Sequence, residues 1–401
     1  MKRVVRAVVV SAALTAGLLS VPASASAAGT PYVPGTLRPS VSQATQDQAL
    51  QKYYDFWKKN FLTTKCGSGT YAVLSKDADH SFVAEGEGYG MTISAMMADK
   101  DPQARSIVDG ILKFVKARPS VNNKDLHAAE QDANCKSVNG GDSATDGDLE
   151  IAYGLLIADK KWGSAGAVNY HAEAVRIINA IKKSEVNGTT KFTLLGDWGN
   201  DAEYKNSSRS SDWMPGHLRA FAKATGDAFW DSVRTRAETA VDRLQAQYAP
   251  NTGLLPDFVV STDSTPKPAP SNFLEGPYDG KYSWNACRDP WRLGADAISA
   301  TGSAAAAQVR KMNTWIKSAT GGDPAKIQSG YSLSGSKTES GQHPCFTAPF
   351  AVAAMTDPGS QAWLDKLWTA ISTWSPDATD YYGTGITIQV LLILSGNYVA
   401  A

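Results

Sequence analysis

Three short stretches of this chain place acids where a helix is about to begin. "SFVAEGEGYGMTISAMMA" carries Glu85 and Glu87 among glycines. "GGDSATDGDLEIAYGLLIADKKW" carries Asp146 and Asp148, and "SNFLEGPYDGKYSWNACRDPWRLGADAIS" carries Glu275 and Asp279. A glycine-rich loop before a helix can cradle phosphate, but these carboxylates would repel it. Paired carboxyls in a cleft suit hydrolysis of a glycosidic bond: one protonates the leaving oxygen, and the other activates water or attacks the sugar. Two neighbouring acids also push one pKa upward, which keeps the donor protonated near neutrality. Helix capping competes with this reading, because an acid at a helix start is favoured by the free N–H groups and the dipole. For Asp148 the two readings stand level.

The elements that must position these acids are helical. Apolar residues recur at three- and four-residue steps, as in "FWDSVRTRAETAVDRLQAQY". The pattern predicts helices over about 44–62, 89–100, 102–118, 148–160, 167–183, 213–224, 227–247, 286–300, 303–318, 347–356, 360–374 and 382–395. Asp101-Pro102 and Asp357-Pro358 read as helix starts. Only "KFTLLGDW" and "GLLPDFVV" read as strands. Twelve helices in successive pairs predict an all-α chain, six helical hairpins closed into a ring. Long connections over about 63–88, 119–147, 184–212 and 248–285 interrupt the pairs, and loops of that length usually carry function. Helix starts gathered on one face of such a ring would bring the acids to one cleft.

The first residues, "MKRVVRAVVVSAALTAGLLSVPASASAAGT", read as a secretory signal over 1–28: a basic start, an apolar run and small residues fitting a signal-peptidase site. Residues 29–401 then form a single domain, secreted and free of the membrane in its mature form. The full chain has no net charge, and removing Lys2, Arg3 and Arg6 leaves it slightly acidic, which excludes a nucleic-acid partner needing a basic face. Five scattered histidines and four cysteines show no metal-site spacing, so neither metal nor cofactor is expected. Four cysteines allow three pairings, among which sequence does not choose. Eleven tryptophans are many, and in an exported protein with an acidic cleft they suggest stacking on sugars.

The motifs resemble glycoside hydrolase family 8. "AEGEGYGM" resembles that family's acid-donor motif, and "ATDGDLEIAYGLLIADKKW" its signature, with Gly154 where Ser or Ala is usual. "NACRDPWRL" and "YYGTGITIQVLLILSGN" are similar to its later landmarks. The resemblance spans nearly the whole mature chain. It implies an (α/α)6 barrel and inverting cleavage of β-1,4-linked polymers. Glu85 becomes the general acid and Asp146 a residue of the central sugar subsite, with the glycines letting backbone approach the sugar. Glu87 remains a helix-start charge.

One position departs. Many members have an Asp general base where this chain has Asn285, and an amide cannot accept a proton from water. Asn285 with Glu275 in the preceding loop resembles the subgroup containing bacterial chitosanases, as does "RSSDWMPGHLRAF". Glu275 is therefore the expected base and Asp279 its rival. An acidic cleft of Glu85, Glu87, Asp146, Asp148, Glu150, Glu275 and Asp279 would attract cationic chitosan. The expected activity is endo-chitosanase, with β-1,4- or mixed-linkage glucanase as the alternative and an inactive carbohydrate-binding relic as a third reading. Tyr89, Trp213, Trp284, Asn285, Arg288 and Asp148 are the candidate substrate-binding residues, and Arg288 also suits a bidentate hold on one acid. Trp291 fits the core and His217 a structural hydrogen bond. The partner is a polysaccharide and the protein a monomer. Expected disulfides are Cys66–Cys135, in the loops leading to the first two acid motifs, and Cys287–Cys345, near late helix starts.

Overall fold

The computed structural model describes residues 30–77 and 79–401, so the proposed signal segment lies outside the described residues. Twelve α-helices follow one another: α1 (Gln43–Asn60), α2 (Ala84–Met96), α3 (Ala104–Lys116), α4 (Thr145–Trp162), α5 (Tyr170–Ser184), α6 (Pro215–Thr225), α7 (Phe229–Gln247), α8 (Asp289–Ser299), α9 (Ala305–Ala319), α10 (Pro344–Met355), α11 (Gln361–Thr373) and α12 (Tyr381–Leu394). The even-numbered helices form a closed inner ring in which α2 packs on α4, α4 on α6, α6 on α8, α8 on α10, α10 on α12, and α12 on α2. Helices α3, α5, α7, α9 and α11 lie outside, each against the inner helix before it in sequence, and α1 packs on α12. This is an (α/α)6 barrel.

The two layers differ as their sequences require. The inner helix α12 is covered on all sides: every residue from Gly383 to Leu394 is buried. An outer helix buries one stripe. In α3 the buried residues are Ala104, Ile107, Val108, Gly110, Ile111, Leu112, Phe114 and Val115, while Arg105 and Lys113 stay out.

Short strands brace the loops: β1 (Leu62–Thr63) pairs with β2 (Ala72–Val73), and β3 (Phe82–Val83) with β4 (Glu130–Gln131). β5 (Ser207–Arg209), β6 (Phe258–Val260) and β7 (Lys267–Pro268) form one three-stranded antiparallel sheet. "KFTLLGDW" is not a strand. Only Thr193 within it makes a bridge, to Val186, and the strand lies further on, at β5. "GLLPDFVV" supplies β6 at its end alone. Both segments are runs of buried apolar residues under long loops, and burial rather than sheet pairing explains their pattern.

Helix α2 begins at Ala84, five residues before the periodicity of the apolar run places it, so Glu85 and Glu87 lie in its first turn. The glycines answer a packing need. A Cβ on Gly88 would stand 2.3 Å from Cβ of Glu150, and one on Gly147 would stand 2.3 Å from Cβ of Ala84. Helices α2 and α4 therefore touch backbone to backbone, which only glycine permits. Gly154 continues the seam, with Met91 Cβ 2.7 Å from where its own would be. The expectation that the glycines around Glu85 admit sugar is corrected at Gly88, which admits the neighbouring helix.

Candidate active site

The starts of α2, α4 and α12 and the loops before α6 and α8 meet at one cleft of about 190 Å³, whose lining includes Glu85, Glu130, Asp146, Arg209, Glu275, Asn285 and Tyr381. Glu85 and Asp146 sit at its floor. Nη1 of Arg288 donates to Oε2 of Glu85 and to Oδ2 of Asp146, each at 2.9 Å. A single nitrogen thus bridges two acids, where a bidentate hold on one was expected. Nη2 of Arg288 donates to Ser211 Oγ at 2.8 Å and Asn285 Oδ1 at 3.0 Å.

Two carboxyls on one cation titrate apart. Burial raises the Glu85 pKa to about 7; Arg288 opposes the rise and the Asp146 charge adds to it. Asp146 is also penalised by burial, yet Arg288 and Arg209, with the Gly147 N–H, hold it at about 2. Near neutral pH one acid keeps its proton and the other stays charged, the division of labour that acid catalysis needs.

Glu275 reaches the same cleft from the loop before α8, and its side chain is 46 % exposed. Asn285 Nδ2 donates to Oε2 at 2.7 Å and Arg209 Nη2 to Oε1 at 2.9 Å. Its rival is spent on structure: Asp279 is buried and accepts the backbone N–H groups of Leu274, Glu275 and Gly276 at 2.7, 3.1 and 2.9 Å. Asp279 shapes the turn that carries Glu275, and its carboxylate is occupied.

Several other sequence candidates face away from the cleft. Asp148 is fully buried and accepts the His127 N–H at 3.0 Å; burial raises its carboxyl, and that of buried Glu185, well above the ordinary range. Trp213 is core, packed on Phe192, with its Nε1 donating to Ser208 Oγ at 2.9 Å. Tyr89 is buried against Trp291, itself in the core. Arg288 is buried and holds carboxylates, leaving no free donor face. Trp284 is 40 % exposed, edge-on to His343 and Phe346, one residue from Asn285. His217 binds Glu150 at 3.2 Å. Of the seven acids expected to form an acidic cleft, Glu87, Asp148, Glu150 and Asp279 are buried elsewhere.

Residues missed by sequence reasoning complete the site. Arg209 lies in β5 and Asp212 follows it; burial, aided by the Asp146 charge, raises Asp212 to about 7. Asp212 obeys the rule that found the others, an acid ending a long loop before a helix (Pro215 opens α6), so that signal was present. Asp257 accepts the N–H groups of Ser283 at 3.0 Å and Ala286 at 2.7 Å, fixing the turn that holds Asn285. Nothing local in the sequence marks it. Cys66–Cys135 is a disulfide, with Cα atoms 5.7 Å apart. Cys287 and Cys345 are free and buried, which corrects the second expected bridge. Cys287 Sγ instead donates to the Trp284 carbonyl at 3.1 Å.

A ring of paired helices, with a proton-holding carboxyl and an exposed second carboxylate in one cleft, is the machinery of a glycoside hydrolase. The family model "Glycosyl hydrolases family 8" matches residues 36–396, and the chain belongs to that family. It is 42 % identical to a beta-glucanase of Niallia circulans over 92 % of this chain and 90 % of the relative. It is 37 % identical to an endoglucanase of Bacillus sp. strain KSM-330, covering 91 % and 79 %. Among solved structures, a beta-1,3-1,4-glucanase from Paenibacillus sp. X4 superimposes with a TM-score of 0.90 at 42 % identity, covering 93 % of this chain and 98 % of that one. The protein is a family 8 glycoside hydrolase that acts on polysaccharide.

Proposed function

We propose that the protein is an inverting endo-β-glucanase acting on neutral mixed-linkage or β-1,4-linked glucan, with Glu85 as general acid and Glu275 as general base. The observation that carries this is the pair itself: a carboxyl kept protonated to about pH 7 and an exposed carboxylate line one cleft, separated by Arg288 and Asn285. Glu85 protonates the leaving oxygen. Glu275 takes a proton from the water that attacks the anomeric carbon, and Asp146, permanently charged, supports the distorted central sugar.

The substrate reading rests on charge and kinship. An acidic field was the argument for chitosan, and four of its seven acids do not face the cleft, while Arg209 does. The relatives named above are glucanases. Chitosanase activity remains the second reading, carried by Glu275 and Asn285 in the subgroup-like arrangement. Reducing-sugar release from lichenan and soluble chitosan separates them: lichenan is expected to be cleaved at least about tenfold faster, and the reverse order overturns the glucan reading. Early products followed by NMR are expected as the α anomer. A β anomer overturns the inverting mechanism.

We further infer export through residues 1–28, supported by the Cys66–Cys135 disulfide. Mass spectrometry of the protein recovered from culture medium is expected to give a start near residue 29. Intracellular protein with Met1 intact would count against it.

A further inference from the structure

The asparagine at position 285 has a partner. Its amide lies 2.7 Å from Oε2 of Glu275, and its carbonyl oxygen takes Nη2 of Arg288 at 3.0 Å, so its orientation is fixed from both ends. The second oxygen of Glu275 takes Arg209 Nη2 at 2.9 Å. Arg209 is itself held: it lies over the Phe258 ring, opposite it in the β5–β6 pair, and its side chain is only 12 % exposed. Glu275 rides a loop, is 46 % exposed and has a flexible side chain. A base on such a loop needs a fixed direction, since catalytic geometry must be held within a fraction of an ångström.

We infer that Arg209 and Asn285 are positioning residues that form a two-point clamp on Glu275, one donor to each carboxylate oxygen. This rests on the reading of Glu275 as base. The clamp explains two features together. Asn285 cannot accept a proton, yet it is seated rigidly at the cleft between the two catalytic carboxyls. Among the described residues lining the cleft Arg209 is the one cation, and it is turned to Glu275.

The test is a set of kcat and KM measurements on lichenan with the full-length mature protein. Glu275→Gln is expected to lower kcat by about 10²–10⁴. Arg209→Gln and Asn285→Ala are each expected to lower kcat at least about tenfold with KM within about twofold, and Arg209→Lys to retain more activity than Arg209→Gln. In the Glu275→Gln background, Arg209→Gln is expected to add less than about twofold, because a residue acting only through Glu275 has nothing left to position.

If Glu275→Gln keeps wild-type kcat, the base assignment fails. If it is inactive but Arg209→Gln and Asn285→Ala lose less than twofold, or their losses persist in full in its background, the clamp fails. Should Arg209→Gln lack a cooperative melt, Arg209→Lys and Asn285→Ala decide the outcome.

Discussion

Glu85 and Glu87 open α2, and Asp146 and Asp148 open α4, each pair with the same spacing. The first member of each lines the cleft and the second is buried in the wall behind it. Successive odd positions on an α-helix stand about 200° apart, so two acids at i and i+2 cannot share a surface. Glu87 accepts the Val73 N–H at 2.9 Å and tethers β2 to the helix. Asp148 accepts the His127 N–H at 3.0 Å and tethers that loop to the helix. Counting all four as cleft acids treats them as loop residues. Once α2 starts at Ala84 the count halves, and the electrostatic case for a cationic polymer halves with it.

The sharpest break in this comparison is between Glu85→Gln and Glu87→Gln. The first is expected to lower kcat on polymer by about 10³ or more through loss of the proton donor. The second is expected to leave kcat within about threefold and to lower the melting temperature instead. Equal losses of kcat would mean that the inward acid also takes part in the chemistry.

Next in size is the glycine seam that sets the distance between the two outward acids. Gly147→Ala places a Cβ on Ala84 and the Glu85 amide, so it is expected to cost about 1–3 kcal/mol by overpacking and to lower kcat about tenfold as Glu85 and Asp146 separate. Gly216→Ala on α6, with nothing within 4 Å, serves as the control and is expected to change neither kcat nor stability for the worse. Urea melts and kcat on lichenan read both.

The pH dependence of rate sharpens the division on the outward side. The alkaline limb of kcat/KM is expected at about pH 7, where Glu85 loses its proton. A limb above pH 9 would exclude Glu85 as the donor.

The smallest effect lies on the inward side. Asp148 and Glu185 have folded values raised above 3.8 and 4.5. The native state therefore binds more protons than the unfolded one, and stability falls as pH rises above the ordinary carboxylate range. Asp146 works in the opposite direction: held at about 2, it contributes stability above 3.8 that is lost as pH falls through its folded value. Asp148→Asn is expected to flatten the decline between pH 5 and 9, by an amount on the order of 1 kcal/mol. A decline unchanged in the variant would place the alkaline loss elsewhere.

The sequence by itself determined the twelve helices, their pairing and three of the cleft's carboxylates. Apolar periodicity is a local property, so helices α1 to α12 each overlap the segment that predicted them. Glu85 and Asp146 were legible because each follows a long loop into a helix, and Glu275 because Asn285 stands where the resembling family has its base. Tertiary structure alone decided which acids turn inward, because a helix start shifted by a few residues leaves the composition unchanged and rotates every side chain. It also decided that Asp279 is consumed by three backbone N–H groups and that Arg209, 66 residues from Glu275, grips it. It decided that Cys287 and Cys345 remain free, buried thiols. The reason is common to all of these. A partner far along the chain leaves no periodicity behind, and the choice between a loop carboxylate that does chemistry and one that shapes a turn rests on which N–H groups the folded chain brings to it.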